Sequence, residues 1–210
     1  MNNSTFSEKR DSYHHGDLRV QLIEATRVLV EEKGPDHFSV SEACRRAGVS
    51  TAAPYKHFKD KGEMLRAVAL AGMHRQRDQM ITELQQYEPG TLDRIVAMGR
   101  VYVRFATTEP GVFRLMFGLS EDHDGDDALV ETGDNTFAVV QAEVARCRGS
   151  EIVEDQDRHR AFLLWSFVHG LSFLTIDGKL ADKKMPMDLE TVLKDIAVRV
   201  VDAPQSAQTS

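Results

Sequence analysis

Apolar residues recur along this chain at helical spacing and almost nowhere in strict alternation. Leu18, Leu22, Ala25 and Leu29, with Val28 beside them, form an i, i+4, i+7, i+11 stripe, the mark of one buried helix face. That helix is expected to begin near His15-Gly16-Asp17, with Asp17 capping free N–H groups, and to stop at Gly34-Pro35. A second helix starts at Ser39 or Ser41 and buries Val40, Ala43, Cys44 and Ala47. Gly48 suits a left-handed turn, and Ser50 can cap a third helix. Asp60 caps a long fourth helix through Met64, Leu65, Val68, Ala71 and Met80, expected to end near Pro89-Gly90.

Beyond Pro89 the pattern remains helical. Thr91 to Thr108 is amphipathic, Pro110 interrupts it, and Gly111 to Gly118 is short and strongly apolar. An acidic loop, Glu121 to Asp127, precedes a helix expected over Thr136 to Cys147. Asp155 to Gly178 is apolar on nearly every face in its middle, and a last helix runs from about Asp188 to Asp202. The expected fold class is all-α. The expected division is a flexible arm (1–14), an N-terminal helical domain (15–77), a C-terminal helical domain (78–203) and a disordered tail (204–210).

Charge sharpens this division. The chain carries a formal net charge of −7, which taken whole argues against a nucleic-acid partner. Residues 1–77, however, hold 13 Lys and Arg against 10 Asp and Glu, while the remainder holds 13 against 23. A mildly basic end on an acidic body fits a protein that approaches phosphate with one end only.

The segment Ser39 to Phe58 reads as two helices joined by a tight glycine turn, a geometry that lays the second helix in the DNA major groove. Ala43 and Ala47 are small where helices must pack closely, Val49 plugs the space between them, and Tyr55 and Phe58 are expected to anchor the recognition helix. Thr51, Ala52, Lys56 and His57 then point outward, Ser50 caps, Lys61 meets a phosphate, and Arg45 and Arg46 flank the backbone. Pro54 falls in the first turn, where little hydrogen bonding is expected to be lost. With only Ala52, Ala53 and Pro54 there, base reading is expected to use apolar contacts and DNA shape.

Phe38 to Leu65, with Ala47-Gly48-Val49-Ser50, Tyr55-x-His57-Phe58 and Lys61, resembles the DNA-binding domain of the tetracycline-repressor (TetR) family. The resemblance covers about residues 15–77. It implies that Tyr55, His57 and Lys61 meet the phosphate backbone. Tyr13-His14-His15-Gly16-Asp17-Leu18 and Trp165-x-x-x-His169-Gly170 extend the likeness to the branch with a WHG-type C-terminal domain.

That resemblance implies a homodimer through the last two helices and a cavity for a small-molecule inducer. The residues agree in outline. Ala161 to Leu174 is apolar on too many faces for a helix covered on one side, and Leu189, Val192, Leu193, Ile196 and Val200 offer a second apolar face. Paired subunits would place two recognition helices about one DNA turn apart. The expected cavity residues are Met98, Tyr102, Phe105, Phe113, Met116, Phe117, Trp165, His169 and Phe173, with Tyr102 and His169 as polar handles. Aromatic and methionine side chains at helical spacing equally suit a plain core.

Other chemistries find no footing. The histidines include no HExxH and no cysteine partner, so no metal site is expected, and Cys44 and Cys147 stand alone, as in a reducing cytoplasm. A calcium-loop count from Asp122 puts Gly133 where a bidentate acid belongs. No nucleophile elbow, P-loop or dinucleotide fingerprint occurs, so neither catalysis nor a cofactor is expected. No apolar run reaches the roughly 18 residues a bilayer span needs, and no secretory leader is visible at the N-terminus. Two functional classes remain: a ligand-released DNA-binding repressor in the cytoplasm acting on double-stranded DNA, or a helical ligand-sequestering or interaction protein with a vestigial DNA-binding motif.

Overall fold

The structure is a computed structural model, and its described residues are 5–118, 127–180 and 188–201, with side chains described from Leu18 and, after the gap, from Ala128. Eight α-helices and one 3-10 turn, with no strand among the described residues, make up the fold: α1 (Thr5–Lys33), α2 (Val40–Ala47), the 3-10 turn (Pro54–Lys56), α3 (Lys61–Leu84), α4 (Leu92–Thr108), α5 (Pro110–Gly118), α6 (Asp127–Cys147), α7 (Asp155–Ile176) and α8 (Leu189–Val201). The acidic stretch 121–126 and the tail 204–210 lie outside the described residues.

The chain divides into two compact units. One comprises α1, α2, the 3-10 turn, α3 as far as Gly72, and α5; the other comprises α3 from Met73, with α4, α6, α7 and α8.

In the first unit, the expected stripe is the core: Leu22, Ala25, Leu29 and Val30 of α1 are buried with Phe38, Ala43, Cys44, Phe58, Met64, Leu65 and Val68. Two ion pairs clamp the end of α1 to α2. Arg46 grips Glu32 through both carboxylate oxygens at 2.6 Å, and Lys33 bonds Glu42. Short α5 is held by chemistry remote in sequence: Glu31 of α1 accepts from Gly111 N at 2.9 Å and Val112 N at 2.8 Å, satisfying the first free donors of α5. At Gly72 of α3 a Cβ would lie 2.5 Å from Val112, so glycine is what lets α5 seat there.

The second unit is built around α4, which packs on α6, α7 and α8. Its core joins Met80 and Leu84 with Val96, Met98, Val101, Val144, Ala161, Leu164, Val168, Leu193 and Ala197. Arg100 staples this unit, donating to Glu190 of α8 at 2.9 and 2.7 Å and to Glu83 and the Tyr87 hydroxyl at 3.1 Å each. Buried Glu143 does the same for α6, accepting from Arg146 at 2.6 Å and facing Arg94 at 3.2 Å.

Four boundaries differ from expectation. α1 begins at Thr5, so residues 5–14 of the expected arm are helical. No proline interrupts Thr5 to Asp17, and the single Gly16 costs a helix only about 1 kcal/mol. α3 ends at Leu84, the last buried apolar residue of its stripe, with Gln85, Gln86 and Tyr87 closing i to i−3 bonds instead. α6 begins at Asp127 rather than Thr136, because buried Leu129 anchors its first turns. The third helix shrinks to the 3-10 turn.

Candidate nucleic-acid interface and aromatic cluster

The helix-turn-helix is assembled by local hydrogen bonds. Ser39, extended at φ −107°, caps α2 by accepting from Glu42 N at 3.2 Å. Gly48 adopts φ +69°, and its N–H donates to Arg45 O at 3.2 Å while Val49 N donates to Cys44 O at 3.0 Å. This paired closure of a helix end needs a left-handed residue, which is the physical demand for glycine there. Asp60 caps α3, accepting from Glu63 N at 2.8 Å, while Glu63 accepts from Lys59 N at 2.6 Å.

Between these caps the chain makes i to i−3 turns: Ala53 N to Ser50 O at 3.0 Å, Lys56 N to Ala53 O at 3.3 Å and His57 N to Pro54 O at 2.8 Å. The expectation that Pro54 would leave an α-helix intact is therefore corrected. Had Ser50 capped an α-helix as expected, the N–H of residue 54 would have closed its first turn onto the Ser50 carbonyl. Proline has no N–H; instead the 3-10 turn starts from Ala53, with no side-chain cap bond.

The tighter winding changes which side chains face out. In a 3-10 turn, residues three apart share a face. Buried Pro54 therefore pulls His57 half under cover, its Nε2 buried, and turns Tyr55 out to 66% exposure. Tyr55 does not anchor the turn; Pro54 and Phe58 do. Ser50, Thr51, Ala52 and Lys56 are exposed as expected, and so is Arg45, whose side chain is 80% accessible. Lys61 is drawn inward: its Nζ donates to Phe38 O at 2.8 Å and lies 4.2 Å over the Phe38 ring. One of its three N–H bonds is thus spent inside the protein.

The other unit gathers four of the nine expected cavity residues. Trp165, His169 and Phe173 follow one another along α7, with centroid separations of 5.6 and 4.9 Å. Tyr102 of α4 meets two of them through its hydroxyl, receiving the Trp165 indole N–H at 3.3 Å and lying 2.9 Å from His169 Nδ1. Phe137 of α6 and Phe162 of α7 extend the wall, with centroids 5.9 and 6.3 Å from Trp165. Burial pushes the Tyr102 phenol above its usual pKa, and burial lowers His169 below the usual imidazole value, so both are neutral at pH 7. Passing the tyrosine hydrogen to Nδ1 satisfies this trio and leaves the imidazole proton on Nε2, an assignment made from the bonding network.

The other five expected cavity residues are placed differently. Met98 belongs to the core cluster, and Phe105 is fully buried on the same helix. Phe113, Met116 and Phe117 sit on α5 in the first unit, where Phe113 and Met116 are buried and the Phe113 and Phe117 rings meet edge-on at 5.0 Å.

Comparison with known proteins places both units. Residues 22–68 match the family described as bacterial regulatory proteins, tetR family, and residues 95–200 match the tetracyclin repressor-like C-terminal domain. The chain belongs to the TetR family. It is thus a member of a family of DNA-binding transcription regulators, and its N-terminal match spans the helix-turn-helix described above. Among relatives, it is 27% identical over 145 residues to the nucleoid occlusion factor SlmA of Idiomarina loihiensis, covering 67% of this chain and 70% of that protein. It is 33% identical over 76 residues to the HTH-type transcriptional regulator BetI of Escherichia coli, covering 36% of this chain and 39% of BetI. A solved structure of a protein of unknown function from Rhodococcus sp. RHA1 superposes with TM-score 0.77 at 26% identity, covering 90% of this chain and 96% of the other.

Sequence reasoning missed two ring residues of this TetR-family chain. Phe162 was within reach, since it lies one turn before Trp165. Phe137 was not, because only the packing of α6 on α7 brings it there. Among the described residues no His, Cys, Asp and Glu cluster could hold a metal ion, and no helix is long and apolar enough to cross a membrane.

Proposed function

We propose that this TetR-family protein is a homodimeric repressor in the cytoplasm that grips a palindromic operator and is released by an uncharged, mainly apolar small molecule. The observation that carries the DNA half is the intact turn: a left-handed Gly48 and the caps at Ser39 and Asp60 hold out Arg45, Ser50, Thr51, Ala52, Tyr55 and Lys56 in one exposed run. A vestigial motif in a ligand-sequestering protein would have no need to keep that turn closed or those side chains uncovered. Lys61, His57 and Pro54 act from behind, steadying the turn, with Lys61 keeping donors for a phosphate.

Pairing is supported by α7 and α8. Leu163, Gly170 and Leu174 on α7 are exposed, and Leu189, Val192, Ile196 and Val200 on α8 are only half covered. Two neighbouring apolar stripes suit a four-helix seam with a second copy. The effector class follows from the aromatic cluster. Its Tyr102 and His169 are neutral, so a charged molecule would lose hydration there without gaining a counter-charge, whereas an aromatic or aliphatic body with a hydrogen-bonding group suits it. Release requires that the molecule bind the non-operator conformation more tightly.

Gel shifts on DNA flanking the coding region, with competitor and a salt series, test this reading. A saturable, competitor-resistant complex of two subunits is expected; uniform weak binding abolished by salt on every sequence would reject it. Lys56→Ala is expected to lower the slope of log K against log salt by about 1.8 on all sequences, about 0.9 for each of the two subunits, while Thr51 substitutions alter sequence preference. A parent-like slope for Lys56→Ala would remove that residue from the backbone.

The chain's single tryptophan, Trp165, reports on the effector half directly. Tyr102→Phe removes the hydroxyl shared by Trp165 and His169. It is expected to raise the effector concentration needed for release about 10-fold, the loss of one buried hydrogen-bonding group, while leaving effector-free DNA affinity unchanged. Unaltered quenching of Trp165 and unaltered release would place the effector elsewhere.

A further inference from the structure

Arg19 lies in α1, outside the helix-turn-helix motif, yet its exposed guanidinium sits 5.2 Å over the ring of Phe58. Phe58 is buried and its backbone N–H donates to Pro54 O at 2.8 Å, so the residue that carries the ring is tied to the recognition turn. Several cations of this unit are engaged within it: Arg27 with Glu24, Lys33 with Glu42, Arg46 with Glu32, and Lys61 with the Phe38 carbonyl. No carboxylate pairs with Arg19 among the described side chains.

We propose that Arg19 is a phosphate-binding residue of the DNA interface, presented by α1 and held in register with the recognition turn by the Phe58 ring. The ring fixes the guanidinium plane, so less side-chain freedom is lost when it meets a phosphate, and a planar fork suits two phosphate oxygens. Since it approaches from α1 rather than from the turn, Arg19 contributes grip and orientation without reading bases. It supplies an outward cation where Lys61 is partly spent inward. The proposal rests on the DNA-binding reading above.

Arg19→Met keeps an apolar stem against Phe58 and removes the charge; Arg19→Lys keeps the charge. With full-length protein, binding is measured across a salt series on the operator fragment and on an unrelated duplex. Arg19→Met is expected to weaken both complexes by about the same factor, roughly 10-fold at low salt, and to lower the slope by about 1.8, about 0.9 for each subunit of the dimer, while Arg19→Lys keeps the parent slope. Arg19→Gln, equally uncharged, is expected to repeat the Arg19→Met result. Parent-like affinity and slope in Arg19→Met would show that Arg19 only packs on Phe58 and would overturn this proposal alone. Absence of DNA binding by the parent would overturn the DNA-binding reading and this one together.

Discussion

Gly170→Glu is expected to turn a dimer into a monomer without harming the protomer. A Cβ built at Gly170 meets nothing within 4 Å, so the protomer has room for the side chain. Replacing a mid-helix glycine also favours α7 by up to about 1 kcal/mol. In the proposed seam the position lies between Leu163 and Leu174, the latter 47% exposed in the protomer, so a second α7 approaching there would bury an unpaired carboxylate. That costs about 3–5 kcal/mol, or more than a 100-fold rise in the dimer dissociation constant. Sedimentation equilibrium should find monomers at micromolar concentration, with unchanged helicity and melting, and operator affinity should fall with the lost second half-site. A variant that stays dimeric would move the seam off this face of α7.

The second large effect is on stability. Asp157 of α7 is completely buried, and its carboxylate receives Arg148 Nε at 3.3 Å, Arg148 Nη2 at 2.9 Å and the Glu154 N–H at 2.9 Å. It thus joins the end of α6 to the start of α7 and satisfies a free donor at that helix end. Asp157→Ala removes both functions and leaves the partly buried Arg148 guanidinium with only Glu154 at 3.3 Å and the Ile152 carbonyl at 3.4 Å. About 3 kcal/mol should be lost in urea unfolding; a loss under about 1 kcal/mol would mean that solvent already carries Arg148. Burial alone, the largest influence, would raise this carboxyl, but the Arg148 hydrogen bonds, the Glu154 N–H and the charges of Arg148 and Arg160 together hold it below the usual carboxylate range. A depressed folded value means that the stabilisation is complete above the ordinary carboxylate pKa of about 4 and is lost as pH falls through the lower folded value. The stability gap between parent and Asp157→Ala is therefore expected to narrow on acidification below pH 4.

Local chemistry was the legible part of this protein. The cap at Ser39, the left-handed Gly48 and the cap at Asp60 all stand as the residue types demanded, because each depends on partners within five positions. The misreading of the recognition segment has an equally local cause. Pro54 lacks the N–H needed to close an α-turn on Ser50, and winding the segment as a 3-10 turn exchanged the roles of Pro54 and Tyr55. Trp165 and His169 were identifiable as sharing a face of α7, four residues apart. Their joint hydrogen bonding to Tyr102, more than sixty residues earlier, was not.

Hydrophobic periodicity and capping residues determined that the chain is helical and carries a closed helix-turn-helix, since both act over one or two turns and are written in consecutive residues. Tertiary packing decided where long side chains spend their polar ends. Lys61 reaches back to the Phe38 carbonyl, Glu31 caps α5 across eighty residues, and Arg19 settles over Phe58. A flexible cation or carboxylate has many partners within reach of its stem, and only the folded neighbourhood selects one. Which large side chains of the expected cavity set are enclosed was decided the same way: Met98 and Phe105 are buried, while Trp165 keeps 36% of its surface uncovered.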